Sequence, residues 1–341
     1  MTTTFMAAEI AEAGDRLALG LAANRQAFAD LGRRLRALNP PFVATNARGS
    51  SDHAAGALKF MVETRLGLPC ASLGPSIASL YRQPLKMAAG VLVSFSQSGR
   101  SPDIVAMQES IRSAGGLTIA LVNDETSPLA RGAEFLLPLH AGPERSVAAT
   151  KSALCCMGLA AALVAAWRED EGLTRAVAAL PDAMNDAGPP TEAVLTALTG
   201  ARSLFVLGRG PTLPVAAEGA LKLKETCAIH AEAFSTAEVL HGPAGIVTED
   251  FPVLAFLPRD EARAGALETL SQLAAFGAAP LVVDTVAHAA WPTLVTPDCE
   301  HPVATAIAGL HGFYRLVEEL ARRRGRNPDA PPHLKKVTQT V

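Results

Sequence analysis

Val91-Leu92-Val93-Ser94-Phe95-Ser96-Gln97-Ser98-Gly99-Arg100-Ser101-Pro102-Asp103 changes character twice within one short stretch. The apolar, β-branched run up to Phe95 reads as a strand, Ser96-Gln97-Ser98-Gly99 as a turn, and from Pro102 the chain turns helical. Ser101 suits the cap position, Pro102 the first helical position and Asp103 the positive end of the helix dipole. Backbone N–H groups and serine hydroxyls then collect at the carboxyl end of a strand, where open α/β sheets take their ligands. Such a loop can receive a dianionic phosphate without a metal. Taken alone, the same wording also describes a solvent-facing turn with a serine cap.

Working outward, apolar runs at 41–45, 90–95, 117–122 and 135–139 read as strands, with helix-length segments between them at 52–65 and 102–114. Strands alternating with helices predict a parallel sheet covered on both faces. Residues 181–190, with Gly188-Pro189-Pro190, break the pattern, and the grammar restarts with runs at 203–207, 252–257, 280–284 and 292–295. The halves share wording: Arg48-Gly49 followed by Gly56-Ala57-Leu58-Lys59-Phe60 is echoed by Arg209-Gly210 followed by Gly219-Ala220-Leu221-Lys222-Leu223. An internal duplication follows. The expected organisation is an α/β fold with a helical segment at 1–30, one domain at 31–180, a linker at 181–192, a second domain at 193–330 and a tail at 331–341.

A second serine loop, Gly49-Ser50-Ser51, also follows a strand and opens a helix, so two donor clusters of one half can converge on a single sugar phosphate. In the other half, Ala216, Ala220, Leu223 and Cys227 define the buried face of a helix, while Glu218, Lys222 and Glu225 share another face at i, i+4 and i+7. That stripe is either a solvated ion pair or a carboxylate base held beside a cation, able to move a proton between adjacent sugar carbons. Downstream, His241 precedes Gly242-Pro243 and belongs to an accessible turn, whereas His230 reads as structural. Neither histidine has metal-ligand spacing, and no metal or other cofactor is expected.

At 341 residues and 49% hydrophobic, the chain supports two ordinary cores. A net charge of -3 without long runs of either sign gives no footprint for nucleic acid or an anionic membrane. The apolar stretch 152–167 falls short of a usual membrane span and reads as a buried helix. The N-terminus lacks an export pattern, so a cytoplasmic location is expected. Five cysteines lie at neither disulfide nor metal spacing and read as reduced core thiols.

Together these residues resemble the isomerase half of glutamine–fructose-6-phosphate aminotransferase, a member of the double SIS-domain sugar isomerase family. The resemblance runs from about Glu9 to Val341. It rests on Arg48-Gly49-Ser50-Ser51, Ser96-Gln97-Ser98-Gly99, Val147-Ala148-Ala149-Thr150-Lys151, 218–225, His230-Ala231-Glu232, His241-Gly242-Pro243 and Leu334-Lys335-Lys336-Val337-Thr338. It implies two tandem SIS domains, each a flavodoxin-like three-layer sandwich, with phosphate held by Ser96, Gln97, Ser98 and Ser101 and sugar contacted near Ser50, Ser51 and Val147. It further implies Glu225 as the proton-transfer base, Lys222 as its neighbour and His241 as the ring-opening group, supplied by the adjoining subunit of a homodimer. Lys336 matches a lysine that contacts the open-chain sugar or forms an imine with it.

The departures bear on the reaction. The chain opens Met1-Thr2-Thr3 and goes almost directly into the sugar domain, so glutamine is not the expected ammonia source. Arg100 stands where the synthase carries an acid, and Arg48 and Ala149 also differ. The wording Ser-Gln-Ser-Gly-Arg-Ser-Pro-Asp looks more like the free-standing type II glucosamine-6-phosphate deaminases. The implied activity is conversion of glucosamine 6-phosphate to fructose 6-phosphate and ammonia. A sugar-phosphate sensor without turnover, an aldose–ketose isomerase, and deaminases of galactosamine or fructosamine phosphates remain open as alternatives.

Overall fold

β-Branched and apolar residues in unbroken runs make strands that are buried on both faces, and the computed structural model, which describes residues 3–336, is organised around them. The first sheet contains β1 (Val43–Asn46), β2 (Cys70–Ser72), β3 (Val91–Ser96), β4 (Leu117–Val122) and β5 (Phe135–Pro138). Every residue of β1, β3 and β4 is buried. The second contains β6 (Ser203–Gly208), β7 (His230–Ser235), β8 (Phe251–Phe256), β9 (Ala278–Asp284) and β10 (Thr293–Val295). Both sheets are wholly parallel, ordered β2-β1-β3-β4-β5 and β7-β6-β8-β9-β10, so the same flavodoxin-like order occurs twice. The shared Arg-Gly wording sits at equivalent points: Gly49 and Gly210 follow the first strand of their sheets with φ of 56° and 57°, a left-handed turn that favours glycine. Duplication is thus visible in topology as well as in wording.

The chain separates into two compact units, each with one sheet. The first comprises 15–144, 151–178 and 335–336; the second comprises 3–14, 145–150 and 179–334. In the first, helices Arg25–Leu38, Ser50–Met61 and Lys151–Arg168 pack together, as do Ser76–Ser79 and Pro102–Ser113. In the second, Thr212–Cys227 packs on Pro302–Arg323, and Arg263–Ala275 on β9. Phe205 anchors the second core, its ring 5.2 Å from Phe234 and 4.9 Å from Phe251.

Lys151–Arg168 is long and apolar enough to cross a membrane, but 83% of it is buried within the protein, so its apolar surface is spent on the core. The five cysteines are also buried, and burial pushes the thiols of Cys70 and Cys155 up to about 12.

Several local expectations need correction. The N-terminal helices run on to Leu38, because Phe28, Leu31 and Leu35 continue the buried stripe until Asn39 turns left-handed. β2 was not expected; it has three residues, of which only Cys70 is buried. The helix expected at 52–65 is α-helical over Ser50–Met61 and ends in a π turn, Val62–Leu66. The break expected at Pro181 falls after Asn185: helix Glu171–Asn185 carries the proline inside it, and Leu180 and Met184 continue the buried stripe of Leu173 and Val177. Val337 and Thr338 of the expected tail lie outside the described residues.

His311, on helix Pro302–Arg323, fixes the N-terminal segment of the second unit through Nε2, 3.1 Å from the Ile10 carbonyl oxygen to which it donates. Burial drives its pKa from 6.5 down to about 4, with Arg315 adding to the shift against the pull of the Ile10 bond. The folded ring is neutral, so the unfolded chain binds more protons between these values. The contribution to stability is complete above pH 6.5 and drains as pH falls toward 4. Moving from pH 7 to pH 5 should cost the native protein about 2 kcal/mol more than a His311→Gln variant, measured by urea denaturation.

Candidate active site

β1 and β3 are neighbours in register, Asn46 beside Ser94, so their carboxyl ends release the two serine loops side by side in the first unit. This is the point where strand order reverses. Buried Asn46 donates from Nδ2 to Ser94 Oγ at 3.1 Å and to the Ile104 carbonyl at 2.9 Å. Arg48 ties the loops together, donating from Nε (3.0 Å) and Nη2 (2.7 Å) to Asp103 Oδ2. The other oxygen of this fully buried carboxylate accepts the Ile104 N–H at 2.9 Å. Asp103 therefore serves the helix dipole, as its position implies, and also clamps the loop that carries Ser50 and Ser51.

Within the second loop, Ser96 Oγ accepts the Gly99 N–H at 2.9 Å and Ser98 Oγ accepts the Arg100 N–H at 3.3 Å. Ser101 occupies the cap position, but its hydroxyl makes no capping bond; the nearby Asp103 carboxylate serves a first-turn N–H instead. Gln97, Ser98 and Ser101 are half-buried, as is Ser51, whereas Ser50 and Ser96 are buried. Arg100 turns to Asp124, with bonds of 3.0 and 2.7 Å. The Asp124 carboxyl is held below its ordinary range by Thr126 and then by Arg100.

Gly99 has φ of 62°, and a Cβ there would lie 2.1 Å from Ser127 Oγ and 2.8 Å from Val122 Cγ2. Gly99→Ala must therefore open the loop. If the loop receives a phosphate, as its serine wording leads one to expect, titration with a phosphorylated sugar should show affinity falling by about tenfold or more, since strain of this kind costs about 1–3 kcal/mol.

In the second unit, helix Thr212–Cys227 buries Ala216, Ala220, Leu223 and Cys227 as its periodicity predicts. The polar stripe is not a solvated pair: Glu218 and Lys222 are 0% exposed, and Glu225 is 22% exposed. Lys222 Nζ donates to Glu225 Oε2 and lies 3.4 Å from Glu218 Oε1, which also accepts from the Tyr314 hydroxyl at 2.8 Å. Burial opposes the charge on Lys222, but the two carboxylates outweigh it and hold the ammonium above its ordinary range. The array thus ends in a single carboxylate that reaches solvent.

His241 stands on an exposed turn ahead of the 3-10 segment Pro243–Ile246, without a side-chain hydrogen bond among the described residues. His230 opens edge strand β7 and is exposed. Val147, half-buried, donates its N–H to the Asp329 carbonyl at 3.1 Å, and the Asp329 carboxylate accepts the Phe5 and Met6 N–H groups at 2.8 Å each. Lys336 belongs to the first unit, where its Nζ lies 2.8 Å from Glu144 Oε2. No local sequence pattern singles out Glu144 or Tyr314. Their partners stand 192 and 96 residues away along the chain, and no periodic signal spans such a distance.

The SIS domain model matches residues 43–166 and 197–295. Glutamine–fructose-6-phosphate aminotransferase (isomerizing) of Zymomonas mobilis is 30% identical over 308 residues, covering 85% of this chain and 50% of that protein. The chain spans about half the length of the curated relatives it matches. A crystal structure from Silicibacter pomeroyi DSS-3, named as a candidate phosphosugar isomerase, is 42% identical, with 96% of this chain and 100% of that one covered and a TM-score of 0.91. A glucosamine-6-phosphate deaminase from Thermotoga maritima shares the fold at 20% identity, with 99% and 100% covered and a TM-score of 0.77.

Proposed function

The chain belongs to the SIS domain family and carries two such domains, and from that premise we propose that it converts glucosamine 6-phosphate and water to fructose 6-phosphate and ammonia. Ser96, Gln97, Ser98 and Ser101 hold the phosphate, with Ser50, Ser51 and Val147 against the sugar. His241, supplied by the second copy in a homodimer, opens the ring. Glu225 takes the proton from C2 of the open-chain aldehyde and returns it to C1, while O1 gains the proton that the amino nitrogen gives up, leaving an imine at C2. Water adds at that carbon and ammonia leaves, so atoms balance. Lys222 supplies the positive charge beside Glu225, and Lys336 holds the open chain.

The observation that carries this reading is the buried array Glu218–Lys222–Glu225, from which Glu225 alone of the three reaches solvent. A surface ion pair needs no such burial, and burying Glu218 and Lys222 as ions is costly unless they are used or tightly paired.

The test is to incubate the purified chain with glucosamine 6-phosphate, without added metal or nucleotide, and to measure ammonia and fructose 6-phosphate. Equal amounts of both are expected, and the absence of ammonia sinks the reading. Galactosamine and fructosamine phosphates assayed in parallel decide the substrate. Aldose–ketose conversion without ammonia would identify an isomerase, and binding without turnover a sensor.

A further inference from the structure

Glu144 is a buried carboxylate that the proposed reaction does not use. Its side chain is fully buried, a costly position for a charge unless donors surround it. Ser152, in the first turn of helix Lys151–Arg168, supplies its N–H at 3.1 Å and its hydroxyl at 2.8 Å. This is the end of a helix where N–H groups lack internal partners and negative charge is favoured. Lys336 brings its ammonium to the same carboxylate, 2.8 Å away. Burial alone would push the Glu144 carboxyl up; Lys336 and Ser152 reverse that and hold it below its ordinary range.

The source of this cation sets the cluster apart from an ordinary structural ion pair. Lys336 sits 192 residues beyond Glu144, in the C-terminal tail beside the exposed Lys335. Of these neighbouring lysines, one is seated and the other is in solvent. A neutral residue in place of Glu144 leaves the tail lysine without this partner, while loss of the tail leaves a buried carboxylate without this cation.

We propose that Glu144, aimed by Ser152, is the positioning residue that seats the C-terminal tail and sets where the Lys336 amine stands. Its consequence for turnover rests on the sugar-phosphate reading above; the seat itself does not. The full chain is labelled with an amine-acylating reagent without substrate, and modification at each lysine is followed by mass spectrometry. In the native protein Lys336 should react about tenfold or more slowly than Lys335, as expected of an amine held in a buried, charge-assisted bond. In Glu144→Gln the two rates should converge, and Ser152→Ala should fall between. Continued protection of Lys222 reports an intact fold, and Ser152→Ala carries the test if Glu144→Gln does not fold. Equal rates for Lys335 and Lys336 in the native protein, or an unchanged ratio in the folded variants, overturn the seat. If ammonia is released, Glu144→Gln should lower kcat about tenfold or more, and Glu144→Gln with Lys336→Met should be no worse than Lys336→Met alone. Additive losses would overturn positioning. Absence of ammonia release removes only the reading of the reaction and leaves the labelling result standing.

Discussion

Glu225→Gln should lower kcat for ammonia release from glucosamine 6-phosphate by about a hundredfold to ten-thousandfold, the range typical for losing a positioned general base. KM should stay within about twofold, because no phosphate contact is assigned to this side chain. Lys222 still has Glu218 at 3.4 Å, so the variant should keep its fold, which thermal denaturation can check. Glutamine preserves size and one hydrogen-bond acceptor while removing the ability to take a proton. A large loss of kcat in a folded protein therefore points to proton transfer rather than packing. A variant with native kcat would remove Glu225 from the chemistry.

Lys222→Met should cost about 3–5 kcal/mol of stability, the range for breaking a buried ion pair by removing one partner. Glu218 has no exposure and would retain a negative charge without its adjacent ammonium; the Tyr314 hydroxyl at 2.8 Å only partly compensates. The double variant Lys222→Met/Glu218→Gln should recover part of that loss, because the stranded charge is removed as well. Urea denaturation of the single and double variants measures this. A single variant within about 0.5 kcal/mol of native would mean that the array contributes nothing measurable to stability.

The sheets were legible in the sequence because parallel strands buried on both faces are written as unbroken apolar runs, and the duplicated Arg-Gly wording marked the same turn in both halves. Short or half-exposed elements carry less signal: β2 has one buried residue, and Pro181 concealed a helix held by Leu180 and Met184. The site was legible where its members are local. Ser96 to Ser101 form one loop, and Glu218, Lys222 and Glu225 share one helical face. Whether that face was solvated depended on the Pro302–Arg323 helix and Tyr314, far along the chain. Glu144 was hidden for the same reason, since nothing near it in sequence announces Lys336. Ser101 occupies the cap position that the wording around Pro102 indicates, but its hydroxyl makes no capping bond, and Asp103 two residues later serves the N–H of Ile104.

The most direct test of the account compares kcat and KM of the native chain, Ser98→Ala and Glu225→Gln on glucosamine 6-phosphate and on unphosphorylated glucosamine. Turnover of the phosphorylated sugar only is expected, with a raised KM and near-native kcat for Ser98→Ala and a lowered kcat and near-native KM for Glu225→Gln. Equal turnover of the two sugars by the native chain, or full activity in Glu225→Gln, would contradict it.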